Sequence, residues 1–275
     1  MPTVSNGDVE IHYEDDGGSG RPVVLVHGWP LSGASWNLVV PALAEAGYRT
    51  ITYDRRGFGE SDKPGEASGY DYDTLTSDLD AVLRELDLTD VTLVGFSMGG
   101  GEVARYVGTH GEERVHSLVF AGAIPPFLLK DEDENPGGGL DRETAAGFQA
   151  ALSQDREGFL DGFMTNFFSA GDVLKVSEEQ RQEALGLAAQ ADLHAAVSCI
   201  QSWLTDFRAD LARVTVPTLV IHGDSDAIVP VEVSGRKTHE EVDGSELVIV
   251  ADGPHGIITS HPDEFNAALV TFLAK

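Results

Sequence analysis

Residues 91–107 constrain this chain more than any other stretch. Val91-Thr92-Leu93-Val94 is an apolar run of the kind that forms a strand buried on both faces. Gly95-Phe96-Ser97-Met98-Gly99 follows at once, and beyond it Val103, Tyr106 and Val107 fall at helical spacing. A strand that turns straight into a helix belongs to a parallel sheet flanked by helices. The turn between them leaves little room. Glycine at 95 and 99 removes side chains where the two elements crowd, and Ser97 is expected in a strained backbone with its hydroxyl exposed.

The rest of the chain keeps the same rhythm. Val4–Glu14 alternates and breaks at Asn6-Gly7, which reads as a small hairpin. Pro22–His27, Tyr48–Tyr53, Ser117–Ala123, Thr218–His222 and Glu246–Val250 read as further strands. Trp36–Ala46 shows helical spacing up to Gly47. Leu75–Leu86 sets Leu75, Leu79, Val82, Leu83 and Leu86 on one helical face. A last helix starts near Asp263, with Phe265, Ala268, Leu269 and Phe272 turned inward. Repeated strand–helix–strand units imply an α/β fold: a mostly parallel central sheet with helices on both faces. The stretch 125–212 breaks the pattern. It opens with Pro125-Pro126, carries the acidic run Asp131–Glu134 and then reads as mostly helical. The expected organisation is a core at 1–124, a helical cap insertion at 125–212 and the remainder of the core at 213–275.

Composition excludes several classes. A chain of 275 residues with 41% hydrophobic residues can bury one sizeable core. No apolar stretch approaches the roughly 18 residues that span a bilayer. Met1–Glu10 carries neither a basic start nor an apolar run, so no secretory leader is expected and the cytoplasm is the expected location. Cys199 is the one cysteine, which rules out an intrachain disulfide and a cysteine metal cluster. Eighteen Lys and Arg stand against 46 Asp and Glu, a net charge of −28. Such a surface repels nucleic acid and anionic membranes, so neither is expected as a partner. Only Lys63, Lys130, Lys175, Lys237 and Lys275 are lysines. Abundant carboxylates with scarce lysine resemble proteins adapted to concentrated salt, and a halophilic source or salt-requiring stability is the expectation. An ordinary acidic protein is the alternative.

Serine is a weak nucleophile and needs a base. Among nine histidines, His255 stands out in the loop Asp252-Gly253-Pro254-His255-Gly256, just after the last strand. His27 ends the first buried strand and is expected to fix the loop there, and His222 is expected in the core. His12, His110, His116, His194, His239 and His261 fall in surface-like or helical positions, where solvation is the expectation. A carboxylate at the end of a late strand can orient the base. Asp224 and Asp226 both qualify, Asp226 lying further into its loop and Asp224 suited to cap the turn. A developing oxyanion needs two N–H donors. The Met98 amide, at the start of a helix, is one candidate. The Trp29 amide, in His27-Gly28-Trp29-Pro30, is the other; Gly28 allows close approach and Pro30 restricts Trp29. Trp29, Phe96, Phe127, Phe163, Phe167 and Trp203 are candidate walls of an apolar pocket, with core packing as the competing role. No metal-ligand spacing occurs; the Thr238–Val242 stretch lacks a second histidine.

These residues together resemble a known family. His27–Trp36, Asp54–Ser61, Gly95–Tyr106, Val216–Pro230 and Gly253–Gly256 are similar to segments of the cofactor-free haloperoxidases and their relatives, the aryl esterases and perhydrolases of the α/β-hydrolase superfamily. The likeness extends into the cap at Ala123–Pro126 and Cys199–Phe207, and is weakest over Asp131–Asp192. It implies the α/β-hydrolase fold, a triad of Ser97, Asp226 and His255, and an oxyanion hole at the Trp29 and Met98 amides. Gly28, Pro30, Phe96, Phe127 and Trp203 are expected around the substrate. The likeness implies no cofactor, an ester or carboxylic acid substrate, and hydrogen peroxide and halide as further reactants. It leaves room for a homo-oligomer. A lactonase, a γ-lactamase, a carbon–carbon bond hydrolase and a non-enzymatic receptor on the same scaffold are the competing readings.

Overall fold

A computed structural model describes residues 1–65 and 69–275. In chain order the strands are β1 (Thr3–Asn6), β2 (Val9–Asp15), β3 (Pro22–Val26), β4 (Arg49–Tyr53), β5 (Val91–Phe96), β6 (Val115–Ala121), β7 (Ser169–Ala170), β8 (Val173–Leu174), β9 (Thr218–Gly223) and β10 (Glu246–Val250). Eight of them form one sheet in the order β1-β2-β4-β3-β5-β6-β9-β10. β3, β4, β5, β6, β9 and β10 run parallel, and β1 and β2 add an antiparallel edge. Every residue of β5 and β9 is buried, as a sheet covered on both faces requires. Gly7, at φ +63°, makes the β1–β2 turn that Asn6-Gly7 predicts.

The helices are α1 (Val40–Glu45), α2 (Tyr72–Glu85), α3 (Met98–His110), α4 (Arg142–Gln154), α5 (Arg156–Phe167), α6 (Glu178–Ala188), α7 (Leu193–Ser202), α8 (Arg208–Leu211), α9 (Gly235–Glu241), α10 (Ile257–Ser260) and α11 (Pro262–Leu273). α2 starts where Asp71 accepts a hydrogen bond from the Thr74 amide, and it buries Leu75, Leu79, Val82 and Leu83 as the spacing predicts. The helix expected over Trp36–Ala46 is shorter. A 3-10 turn covers Gly33–Trp36, and α1 begins only at Val40. Pro41 explains the split, because proline is tolerated in the first turn of a helix and not in its interior.

Between β6 and β9 the chain forms α4 to α8. One hairpin that the sequence reading does not anticipate, β7 with β8, turns at Gly171 with φ +57°. This helical segment leaves the carboxyl end of β6 at Ala121 and returns to the amino end of β9 at Thr218, and α5 packs through Phe163 on Trp29 after β3 and through Phe167 on His255 after β10. The loops after β3, β5, β6, β9 and β10 all emerge at the carboxyl edge of the sheet, where open parallel sheets bind ligands.

Candidate active site

The turn between β5 and α3 carries Ser97 at φ 55° and ψ −119°, a strained conformation for a residue with a side chain. Packing enforces it. A Cβ on Gly95 would lie 2.5 Å from Gly99 O, and one on Gly99 would lie 2.4 Å from Val26 O. The Ser97 amide donates to Ala121 O at 2.9 Å, which ties the turn to β6.

Two distant loops converge on this serine. His255 Nε2 lies 2.8 Å from Ser97 Oγ, and His255 Nδ1 lies 2.7 Å from Asp226 Oδ2. All three residues are buried. The other Asp226 oxygen accepts from the Ile228 and Val229 amides at 2.9 and 2.7 Å. Burial alone would push the Asp226 carboxyl up, but His255 and then His222 outweigh it and hold the group well below the usual carboxylate range. Rings fix the imidazole: Phe96 lies 5.2 Å away at a tilt, and Phe167 4.9 Å away edge-on. Asp224 is exposed and accepts from the Asp252 amide at 2.7 Å, so it braces the loop that leads to His255.

The loop after β3 closes the other side. A Cβ on Gly28 would come within 2.8 Å of Phe96 Cδ1 and 3.1 Å of Ser97 Cβ, so only glycine lets this backbone pass. His27 is buried and bonded within that loop, as its position predicts. Met98 is the first residue of α3, and its N–H has no partner within the helix. His222 is buried, with Nε2 2.8 Å from Val229 O and 3.3 Å from Asp226 Oδ2, a neighbour of the carboxylate that sequence reasoning places only in the core. His12 corrects an expectation of solvation: it faces inward from β2, 3.1 Å from Pro2 O. Burial pushes the Cys199 thiol up to about 12, so it offers no rival nucleophile.

Ser97 opens into a cavity of about 460 Å³. Of the expected walls, Trp29, Phe163 and Trp203 line it. Trp29 packs edge-to-face on Trp203 at 4.9 Å and on Phe163 at 5.0 Å. Phe96 and Phe167 instead pack on His255. Phe127 is a correction: it does not line the cavity but lies under the Arg208 guanidinium, 4.9 Å from the ring centre. Gly28 and Pro30 are likewise buried beside Trp29 in the chain and are not lining residues. Ile124, Leu128, Leu140, Phe148, Phe159, Ala227, Ile228 and Val229 add to the apolar wall, and Thr144 and Asn166 line it with polar side chains in addition to Ser97. Their apolar spacing gave no signal that separated cavity from core. Among the described residues, no lining side chain is charged. Among the described residues, no group of three or more His, Cys, Asp or Glu side chains is placed to hold a metal ion, and no helix is long and apolar enough to cross a membrane.

A parallel sheet, a serine on a strained strand–helix turn and a histidine–carboxylate pair beside it define a class. The chain belongs to the alpha/beta hydrolase fold family, which matches residues 21–262. It is similar to the bromoperoxidase from Bacillus anthracis, at 52% identity and a TM-score of 0.96 over 100% of this chain and 99% of that one. It is 41% identical to a non-heme chloroperoxidase of Kitasatospora aureofaciens over 100% of both chains. It is 35% identical to a bifunctional esterase/perhydrolase of Acinetobacter calcoaceticus over 96% of each.

Proposed function

We propose that the chain is a metal-free serine hydrolase of carboxylic esters with perhydrolase and haloperoxidase side activity. The observation that carries this reading is the 2.8 Å contact between His255 Nε2 and Ser97 Oγ, backed by Asp226 at 2.7 Å. His255 takes the Ser97 proton as the oxygen attacks the ester carbonyl, and Asp226 holds the imidazole in the tautomer that can accept it. The Trp29 and Met98 amides stabilise the oxyanion. The tetrahedral intermediate expels the alcohol, protonated by His255, and leaves an acyl group on Ser97. Water, activated by the same histidine, releases the acid. Hydrogen peroxide in place of water releases a peracid, which oxidises halide away from the protein.

Residues 125–212 act as a cap whose aromatic side chains shape the acyl site, and the uncharged lining favours neutral esters over anions. Hydrolysis of p-nitrophenyl acetate that survives a chelator tests the reading; activity lost on chelation would overturn it. Peroxide with bromide then tests the second half. The resemblance to peroxidase-type relatives gives Pro30 a part in holding peroxide at the preceding carbonyl. Pro30→Leu should lower perhydrolysis about tenfold more than hydrolysis, the scale of one hydrogen bond. Equal losses in the two assays would remove that role.

The acidic surface supports salt-dependent stability. Glu132, Asp133 and Glu134 are exposed side by side, and self-repulsion of this kind is screened by salt. The melting temperature should rise by on the order of 5 °C between low and molar salt, about 2 kcal/mol for a chain of this size. A flat profile by scanning calorimetry would leave an ordinary acidic protein.

A further inference from the structure

The two amides assigned to the oxyanion site sit on different loops, and a buried chain of side chains ties them together. Met98 opens α3, and Glu102 follows four residues later on the same helical face. Glu102 is fully buried and grips Arg55, whose Nε lies 2.7 Å from Glu102 Oε1 and whose Nη2 bonds the same oxygen. Tyr53 donates to the other carboxylate oxygen at 2.7 Å. Arg55 in turn holds His27 twice. Its Nη2 donates to His27 O at 2.7 Å, and its backbone N–H donates to His27 Nε2 at 3.0 Å.

That second bond decides the tautomer of His27. A backbone N–H is always a donor, so Nε2 accepts and the ring proton sits on Nδ1. Nδ1 lies 2.9 Å from Gly28 O and donates to it; the Arg55 Nη1 contact at 3.5 Å is too long to compete. Burial, and then the Arg55 charge, hold the His27 pKa well below its ordinary value, so the ring stays neutral. The Leu31 amide gives Gly28 O a second bond at 3.0 Å. Gly28 C=O and Trp29 N–H belong to one planar peptide unit and point in opposite directions. Fixing the carbonyl therefore aims the amide.

We propose that Glu102, Arg55 and His27 are positioning residues that set the Trp29 amide relative to the Met98 amide. None of them need touch substrate. The network explains why a charged pair is kept in the core between β4 and α3, where an apolar pair would fold as well. The inference rests on the assignment of Trp29 and Met98 to the oxyanion site.

The test compares His27→Leu with His27→Asn. Asparagine can restore a donor to Gly28 O, and leucine cannot. His27→Leu should lower kcat for p-nitrophenyl acetate by about 10- to 100-fold, somewhat less than outright loss of an oxyanion donor. KM should hardly change. Affinity for an aryl boronic acid, which forms a tetrahedral adduct on serine, should fall by a similar factor. His27→Asn should recover most of both. A folded His27→Leu with unchanged kcat, or a loss confined to KM, would overturn the proposal. So would equal losses in the two variants. The Trp29 amide resonance supplies a readout that does not depend on turnover: it should move in His27→Leu and return in His27→Asn. If the wild type neither cleaves esters nor takes the boronate, the esterase reading fails, while a shifted and rescued Trp29 amide would still uphold the positioning. An amide resonance that stays put in both variants would end it. The double variant Arg55→Met with Glu102→Leu, which removes both charges together, should lower kcat without a large loss of melting temperature, and wild-type kcat in that variant counts against the network.

Discussion

Ser97→Ala should lower kcat for p-nitrophenyl acetate by roughly 10⁵-fold or more, the loss seen when a triad nucleophile is removed from a serine hydrolase. The expectation follows from the geometry. Ser97 Oγ is the hydroxyl that His255 reaches, at 2.8 Å, and it opens into the apolar cavity. The lone cysteine is buried with a raised pKa and gives the reaction no second nucleophile. KM should change little, because the cavity walls remain. Labelling by a fluorophosphonate should vanish with the activity. His255→Ala should cost nearly as much alone, and adding it to Ser97→Ala should cost almost nothing further, since the two act as one unit. A Ser97→Ala protein that keeps a tenth of the wild-type rate would exclude an acyl-enzyme on this residue. Loss of labelling with no detectable turnover in the wild type would instead mean that the triad is intact but the natural substrate is another acyl compound.

The elements that carry this site were legible because their constraints are local. Gly95 and Gly99 each face a backbone oxygen that would collide with a Cβ, and such a demand shows in the sequence as glycine. β5 falls at the residues that its apolar run predicts, because a strand buried on both faces is apolar nearly from end to end; β10, half-buried at the edge of the sheet, also falls at Glu246–Val250, between the turn at Gly244 and the loop that begins at Ala251. Trp36–Ala46 was less legible. Its apolar spacing suits one helix, while Pro41 allows only a first turn there. The cavity wall was hardly legible at all. Phe127 and Phe163 are the same residue type in the same segment, yet one lies under Arg208 and the other lines the cavity into which Ser97 opens. Only the packing of α4, α5 and α7 separates them. The Glu102–Arg55–His27 chain was illegible for a related reason: its residues lie on α3 and on the loops after β4 and β3, and no spacing rule links them.

Asp226→Asn should lower kcat by about 10⁴-fold near neutral pH, while Asp224→Asn should leave it close to wild type. The two aspartates are two residues apart, and their surroundings divide their roles. Asp226 is buried and meets His255 Nδ1 at 2.7 Å; Asp224 is exposed and braces the Asp252 amide. In Asp226→Asn one oxygen can still accept from the Ile228 and Val229 amides, so the loop keeps its shape. The new amide group then faces His255 Nδ1 as a donor. It selects the tautomer with the proton on Nε2, and that nitrogen can no longer take the proton of Ser97. Asp224→Asn should cost about 1 kcal/mol of stability through its weakened loop bond, and little rate. The pH dependence has a definite sign. Because the folded pKa of Asp226 is depressed, its contribution to stability is fully present above the unfolded value of about 4 and is lost as pH falls from there through the folded pKa. The wild type should therefore lose more stability than Asp226→Asn between pH 5 and pH 2, read by denaturant unfolding at each pH. Parallel curves would mean that the carboxylate gains nothing from its partners in the folded state. Equal rate losses in the two variants would deny Asp226 its place beside the base.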